Sequence, residues 1–546
     1  MKIKEIVGMK IMMLLLLALT SCQSSNTINK RYDIVVYGGT SAGIVAAVQA
    51  VRMGKSVIVI EPTGHIGGLT TGGLGATDIG NKQAIGGISR EFYQRIARKY
   101  ADEKAWDSQT AEAYFNHEIQ DSMESMWTFE PSVAQEVYEE LIRENDLEIV
   151  TNERLDLSSG VEKKQGSLDR IIMESGKSYR GKIFIDATYE GDLMALSGVS
   201  YTVGRESNAQ YNERLNGVQK ALGKYHQFPD GVDPYVIAGD STSGLLPNVN
   251  AKIAMDGTAD KRVQGYCFRM CLTDVPENRV FVEKPQEYEE QEYELLFRAI
   301  EAGYQGPFFI MSNMPNRKTD SNNKGPVSTD YIGRNYEYPE GDYASRAQII
   351  KEHEIYQKGL LWTLSKHPRI PEKIRKEFSQ WGLPKDEFVN HGHWSPQLYI
   401  REARRMVSDF VMTEHHCTQD SLTADQSVGM GAYTMDSHHM QRYIDENGFV
   451  KNEGDVEVGG FGPYPISYRA IVPPQEECKN LLVPVCLSAS HIAFGSIRME
   501  PVFMTLGQSA ATAASLALDA NIPVQEVPYA QLKARLLKDK QVLTSR

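Results

Sequence analysis

The chain has 546 residues, of which 41% are hydrophobic and 24% are charged, and its formal net charge is −13. This length and composition exclude a disordered chain and predict a folded protein of more than one domain. The negative charge argues against a nucleic-acid partner, because phosphate binding requires a concentrated basic surface.

The first 22 residues, "MKIKEIVGMKIMMLLLLALTSC", have the pattern of an export signal. Lysines precede an apolar run from Ile11 to Leu19, which is shorter than the roughly 20 residues that a membrane-spanning helix needs. "LTSC" resembles the bacterial lipobox, whose cysteine is lipidated; an ordinary signal peptide with a chance cysteine is the alternative. Residues 23–31 then predict a polar tether. We therefore expect an exported periplasmic or cell-envelope lipoprotein, attached to the membrane only through Cys22.

Residues 32–62, "YDIVVYGGTSAGIVAAVQAVRMGKSVIVIEP", predict a β-α-β unit that binds a dinucleotide. "DIVVY" suits a buried parallel strand, Gly38 and Gly39 permit a tight turn, and Gly43 lets the helix pack closely. Glu61 ends the second strand, where a carboxylate accepts hydrogen bonds from ribose hydroxyls and repels the 2′-phosphate of NADP. The alternative is a β-α-β unit that binds nothing and whose glycines serve only the turn.

Thr40 stands at the middle glycine position of the usual Gly-x-Gly-x-x-Gly pattern. A side chain there crowds the phosphates, but Gly39 is flexible and a threonine hydroxyl can donate to a phosphate oxygen. We therefore expect Thr40 to shift the geometry of the site without closing it.

The chain after this unit divides into three parts. A glycine-rich loop at 65–90 precedes helical sequence to about residue 146. Strands are then predicted at Leu147–Val150, Arg170–Met173 and Lys182–Ile185. From about 200 to 455 the chain is richer in Tyr, His, Asn and Pro, with helical patterns at 287–303 and 341–366, and a long small-residue helix follows near the C-terminus.

An alanine-rich helix near each end of the chain predicts one sheet built from both termini. We assign residues 32–205 and 456–546 to a nucleotide-binding domain, and residues 206–455 to an inserted substrate domain.

Five sequence blocks resemble the family of FAD-dependent oxidoreductases that is common among bacterial exported and glycan-associated proteins. The blocks are "YDIVVYGGTSAGIVAAVQAVRMGKSVIVIEPTGHIGGLTTGGLGATDIG", "FIDATYEGDLMALSGVSYTVGRE", "HWSPQLYIREARRM", "PYPISYRAIVP" and "NLLVPVCLSASHIAFGSIRMEPVFMTLGQSAATAA". These proteins belong to the glutathione-reductase-like flavoproteins and commonly carry GGT at the turn, as this chain does at Thr40. The resemblance implies FAD and an α/β fold, in which a Rossmann-like FAD-binding domain is assembled from both ends of the chain around an inserted α+β substrate domain.

The same resemblance implies a set of cofactor-binding residues. The pyrophosphate is cradled by Gly38, Gly39, Thr40, Ser41, Ala42 and Gly43, and the ribose is held by Glu61. The isoalloxazine ring is expected to lie along Gly67, Gly68 and Thr70. The cofactor is expected to be covered by Asp186 and Thr188. Gly507 belongs to a helix whose N-terminus lies near the flavin pyrimidine. The usual Gly-Asp pair before this helix is absent, which leaves the group that meets the ribityl chain open.

Oxidation of a C–H bond at a flavin needs a base for the accompanying proton, and histidine suits this role. His491 comes from the cofactor-binding end and is the first candidate; His438 or His439, beside Asp436, is the second. Arg498 is a candidate for a position that faces the flavin. Each of these residues also has a purely structural alternative.

Two weaker patterns complete the candidates. His391 and His393 share a face if they lie on a strand, as in a metal pair, but no third ligand is near in sequence, so we predict no metal. Arg401 and Arg405 share a face of a predicted helix, where they either hold a carboxylate or sugar hydroxyls or pair with Glu402 and Asp409.

The sequence therefore predicts an exported FAD-dependent oxidoreductase that acts by hydride transfer on a small organic substrate, with a carbohydrate-derived alcohol or acid as one option. The direction of electron flow and the electron acceptor stay open. The alternatives are a non-catalytic glycan-binding lipoprotein on a flavoprotein scaffold, and a metal-dependent glycan hydrolase or lyase.

Overall fold

The computed structural model of the protein describes residues 30–115, 124–420 and 422–545. The predicted export signal and the lipid anchor at Cys22 lie outside the described residues. Within those residues, no helix combines the length and the apolar character needed to cross a membrane.

The described residues form α-helices and strands along the whole chain. The helices are Ser41–Arg52, Gly68–Thr71, Gly87–Tyr100, Ala111–Phe115, Pro131–Glu144, Asp192–Leu196, Asn208–Tyr211, Glu294–Glu301, Tyr343–Lys366, Glu372–Phe378, Glu414–Thr418, His491–Ile497, Glu500–Ala520 and Tyr529–Lys538. The strands of the largest sheet are Arg31–Tyr37, Val57–Ile60, Glu148–Val150, Val161–Lys164, Ser167–Ile172, Ser178–Asp186 and Leu481–Leu482. The remaining strands are Tyr201–Thr202, Val249–Asn250, Cys267–Phe268, Met270–Thr273, Arg279–Val280, Phe309–Met314, Lys318–Asn323, Leu383–Pro384, Leu398–Tyr399, Arg405–Met406, Ser427–Gly431, Met435–Ser437, Gln441–Ile444, Val450–Glu453, Val456–Val458 and Tyr464–Ser467.

The largest sheet joins the two ends of the chain. Its parallel part has the order Glu148–Val150, Val57–Ile60, Arg31–Tyr37 and Ser178–Asp186. The last of these strands has two neighbours on its free edge: its start pairs antiparallel with a hairpin strand, and its end pairs parallel with Leu481–Leu482. A strand from near the C-terminus therefore shares a sheet with the first strand, which confirms the α/β sheet assembled from both ends.

Two helices with small side chains cover one face of this sheet. The first helix, Ser41–Arg52, follows the glycine turn, and the closing helix, Glu500–Ala520, packs directly on it. A Cβ atom at Gly507 would lie 2.2 Å from the carbonyl oxygen of Ala42, so only glycine permits this approach. Close packing explains why both helices are rich in alanine and glycine.

The hydrophobic interior is divided between separate clusters. The largest contains the first and closing helices, and a second contains buried residues between Val203 and Val450. Residues 412–435 contribute to the first cluster although they fall inside the predicted insert. The boundaries at 205/206 and 455/456 stay predictions.

Candidate active site

The glycine turn brings the tip of the first helix close to the end of the neighbouring strand. Gly38 has φ of 101°, and a Cβ atom there would lie 2.8 Å from the backbone nitrogen of Thr188. A Cβ atom at Gly43 would lie 1.9 Å from the Gly38 carbonyl oxygen. The amides of Ser41 and Ala42 occupy the first helical turn, where an N–H has no intrahelical acceptor. This tip is therefore suited to a diphosphate.

Thr40 caps the first helix with its side chain. Its hydroxyl oxygen accepts a hydrogen bond from the Gly43 backbone nitrogen at 3.3 Å. The hydroxyl hydrogen is donated to the carbonyl oxygen of Ala187 at 2.7 Å. In this arrangement the hydroxyl hydrogen is engaged by Ala187, and a contact between Thr40 and a phosphate stays a prediction.

Glu61 is held at the end of its strand by three hydrogen bonds. Its Oε2 accepts from the Gly39 backbone nitrogen at 2.6 Å, and its Oε1 accepts from the nitrogen and hydroxyl of Thr63, both at 2.7 Å. Burial raises the pKa of Glu61 to about 7. Because a carboxylate offers about four acceptor sites, about one remains for a ligand hydroxyl.

Glu500, the first residue of the closing helix, lies beside the tip of the first helix. Its carboxylate accepts hydrogen bonds from the hydroxyls of Ser41, Thr70 and Tyr189. Burial raises its pKa, and the three hydroxyl donors oppose that effect. The sequence patterns did not single out the Glu500 side chain, although "RMEP" was among the blocks that carried the resemblance.

Two further segments close around the turn. The Gly67 backbone nitrogen donates to the Gly39 carbonyl oxygen at 2.8 Å, which places the glycine-rich loop over the turn. Asp186 is buried and accepts bonds from the hydroxyl of Thr188 at 2.7 Å and from the backbone nitrogen of Met194 at 2.8 Å. Burial raises the pKa of Asp186 to about 6. Asp186 thus orders its own turn rather than facing open space.

A cavity of about 200 Å³ opens at the glycine turn. Among its lining residues are five predicted cofactor-binding residues, namely Gly38, Thr40, Glu61, Gly68 and Thr188. Gly507 lies instead at the contact between the first and closing helices. The turn, the first-turn helix amides and the acid at the strand end together supply the groups that a dinucleotide site needs.

The family model described as "FAD dependent oxidoreductase" matches residues 33–536. The chain belongs to this family. It has the mixed α/β fold of that class, and FAD is the cofactor of the family. No curated protein matches the sequence.

Solved flavoprotein structures are similar to part of this oxidoreductase. L-amino acid deaminase from Proteus vulgaris is 16% identical with a TM-score of 0.23, and the match covers 34% of this chain and 54% of that chain. L-proline dehydrogenase from P. horikoshii is 15% identical with a TM-score of 0.23, at 33% and 59% coverage. Flavin-containing monooxygenase from Stenotrophomonas maltophilia is 14% identical with a TM-score of 0.20, at 33% and 43% coverage. The matches thus span less than two thirds of each of these structures.

A second cavity of the oxidoreductase, about 360 Å³ in volume, is polar and lies where the glycine-rich loop meets the inserted region. We call it the substrate cavity; its charged and aromatic lining residues include Asp78, His226, Arg269, Lys324, Tyr399, Tyr433, Asp436, His438, Asp455 and Glu457. Tyr399 also packs in a small apolar cluster with Leu69 and Leu74 of the glycine-rich loop. Through Tyr399, the lining of the cavity therefore contacts the loop that is expected to lie along the flavin.

His438 lines the substrate cavity and contacts two acids. Its Nδ1 lies 2.7 Å from Oδ2 of Asp330, and its Nε2 lies 3.5 Å from Oδ2 of Asp436. Burial and the Arg401 guanidinium lower the pKa of His438, but the two carboxylates outweigh them and raise it above its ordinary value. The arrangement can take up a proton at Nε2 while Asp330 holds the ring in place.

Arg498 connects the substrate cavity with the closing helix. Its guanidinium donates to the hydroxyl of Tyr399 at 2.6 Å and to Oδ2 of Asp436 at 3.0 Å. Two residues later, Glu500 faces the tip of the first helix. One short segment therefore contacts both the dinucleotide turn and the substrate cavity.

His491 and His439 do not line the substrate cavity. The His491 ring is 1% exposed, with Nδ1 at 2.7 Å from Glu402 and Nε2 at 3.1 Å from Ser437, so both nitrogens are engaged within the protein. Burial lowers the pKa of His439 to about 3, which keeps its ring neutral. The catalytic roles predicted for both residues stay predictions, and the geometry favours His438 instead.

Two sequence expectations about the inserted region are wrong. Val389–His391 is a short 3₁₀ turn, so His391 and His393 do not share a strand face. The segment from 398 to 406 holds two short strands rather than a helix. Both arginines are buried in ion pairs: Arg405 pairs with Glu402, as one alternative expected, and with Glu206, whereas Arg401 pairs with the distant Asp330. Asp330, the closest acid to His438, had no local pattern that could have identified it.

Proposed function

We propose that this oxidoreductase oxidises a small polar organic molecule in the substrate cavity, with His438 as the proton acceptor. The proposal is carried by one observation: a histidine held by Asp330 lines a polar cavity that the Arg498–Glu500 segment joins to the dinucleotide turn.

FAD, when bound, supplies the acceptor for a hydride. For an alcohol substrate, the C–H bond breaks with its electron pair as hydride, the hydroxyl proton moves to Nε2 of His438, and a carbonyl bond forms. In the neutral ring, the Nδ1 hydrogen is donated to Asp330, which leaves the Nε2 lone pair for this proton. Asp436, at 3.5 Å from Nε2, then stabilises the imidazolium.

The residues that would hold FAD divide by their chemistry. The amides of Ser41 and Ala42 would bind the diphosphate, and Glu61 would accept a ribose hydroxyl. Glu500 would accept a hydroxyl of the ribityl chain, because it stands beside the turn at the start of the closing helix. This role would fill the place of the Gly-Asp pair that the sequence lacks.

We further propose a carbohydrate-derived substrate and a location outside the cytoplasm. Paired acids and guanidinium groups in the substrate cavity offer both acceptors and donors to hydroxyl groups. The export pattern and Cys22 support a lipid-anchored enzyme, whose electron acceptor would be dioxygen, a quinone or a partner protein rather than cytoplasmic NADH.

Anaerobic bleaching of the flavin tests this function. The FAD-loaded enzyme is mixed with sugars, polyols, amino sugars and hydroxy acids, and loss of the oxidised flavin absorbance is followed. We expect bleaching by at least one class and much slower bleaching in His438→Gln, which keeps the ring's approximate volume without its basic nitrogen. Equal rates in His438→Gln and in the unaltered enzyme would refute His438 as the base.

A further inference from the structure

Two acids that line the substrate cavity, Asp455 and Glu457, form no ion pair with a lysine or an arginine among the described residues. Asp455 is 4% exposed, its Oδ2 has no hydrogen-bond partner, and it forms no ion pair within the described residues. Glu457 is half-exposed, and its nearest cationic partner is His226, with 3.8 Å between Nε2 and Oε1. The other cavity acids differ, since Asp436 pairs with Arg498 and Asp78 pairs with Arg269.

The strand pairing brings acids together on the same face. Asp436 and Glu457 are direct partners across the antiparallel pair of Met435–Ser437 with Val456–Val458. Like charges directly opposite each other destabilise a strand pair. Asp455 lies two residues before Glu457, just outside the strand, and burial together with Glu457 raises its pKa to about 8. A buried charge without a partner is costly, so Asp455 is largely protonated near neutral pH, and a positively charged group from outside would stabilise its ionised form.

The hydrogen bonds of His226 indicate which kind of cation fits. Ligand atoms of His226, Asp455 and Glu457 lie within 4.8 Å of one another, a spacing that a metal ion could bridge. However, the Gly325 backbone nitrogen donates to His226 Nδ1 at 3.0 Å. Because a neutral imidazole carries one N–H, that hydrogen is then on Nε2, which has no lone pair for a metal. Two carboxylates remain, and an ammonium group can donate to both.

We propose that Asp455 and Glu457 bind the ammonium group of the substrate, so that the enzyme acts on amine-bearing polar molecules. This inference rests on the proposed function, because it takes the same cavity as the place where the substrate is oxidised. An ammonium group held by these two acids would orient the molecule with its other end toward Tyr399 and His438, which also line the cavity.

Saturation-transfer NMR on the FAD-loaded enzyme, kept anaerobic, measures binding at the ammonium subsite rather than catalytic turnover. The probes are two matched pairs at equal millimolar concentration: D-glucosamine against D-glucose, and 2-aminoethanol against ethylene glycol. We expect the amine of each pair to bind about fivefold more tightly, the size of a partly exposed charge contact. The preference should disappear in the double variant Asp455→Asn with Glu457→Gln, and persist in Glu446→Gln, which removes an exposed acid elsewhere.

Three results would overturn the ammonium subsite: equal binding of amine and hydroxyl probes, no binding of either amine, or an amine preference that survives the double variant. If the double variant does not retain FAD, Glu457→Gln alone replaces it, because that side chain is 44% exposed. Calcium chloride is titrated by calorimetry in parallel; stoichiometric calcium binding that depends on Asp455, without amine preference, would assign the cluster to a metal instead. An amine preference without any flavin bleaching would keep the subsite and refute the proposed oxidation.

Discussion

Replacing Glu61 by glutamine is expected to weaken FAD binding by about 30-fold, and the size follows from the hydrogen bonds of this side chain. The carboxylate accepts bonds from backbone nitrogens of Gly39 and Thr63, one on each oxygen, and from the Thr63 hydroxyl. Glutamine has only one acceptor oxygen, so its NH₂ group must face one of these two N–H donors. An unpaired buried donor, or the loss of a bond to a charged group, costs about 2 kcal/mol.

Fluorescence titration of the apoprotein with FAD measures this loss. Glu148→Gln is the matched control, because Glu148 lies on the neighbouring strand but outside the turn. Since burial raises the pKa of Glu61 to about 7, the ionised acceptor form grows as the pH rises through that value. FAD affinity of the unaltered protein should therefore increase from pH 6 to pH 8 by up to about tenfold, and stay flat in Glu61→Gln. Affinity in Glu61→Gln within about threefold of the unaltered protein would refute this account of the turn.

Other substitutions separate the structural groups from the reacting ones. Gly43→Ala should lower both the melting temperature and the bound FAD, since its Cβ would lie 1.9 Å from a carbonyl oxygen, whereas Gly462→Ala, with open space around it, should change neither. Asp330 raises the pKa of His438, so Asp330→Asn should lower that pKa. In a plot of the rate of flavin reduction against pH, the rise in rate should then move to lower pH. A rise at the same pH as in the unaltered enzyme would show that another base acts. His491→Ala removes the partner of a buried carboxylate, so it should lower the melting temperature yet reduce flavin faster than His438→Gln; the reverse order of rates would restore His491 as the base.

The segment from 398 to 406 shows why local spacing was not enough. Its arginines recur at helical intervals, but the chain there is extended and pairs with other segments: Leu398–Tyr399 with Cys267–Phe268, and Arg405–Met406 with Tyr201–Thr202. Strand partners distant in sequence override a weak local preference for helix. The same limit applies to His391 and His393, whose conformations depend on a tight turn.

The sequence by itself determined the dinucleotide turn, because that site is built within one continuous β-α-β unit. Gly38, Gly43 and Glu61 are close in the chain, and the steric and hydrogen-bonding demands on each are local. The small-residue helix near the C-terminus could also be predicted from the sequence. Close packing between helices restricts the residues along its whole length to small ones.

Only the tertiary structure decided which side chains meet at the substrate cavity. Asp330 and His438 are separated by 108 residues, and Ser41 and Glu500 by 459 residues. No sequence pattern favoured His438 over His439 as the base, because adjacent histidines differ only in the direction of their side chains. That direction is set by packing between segments far apart in the chain. As a result, His438 is paired with acids at the cavity, whereas His439 is buried without charge.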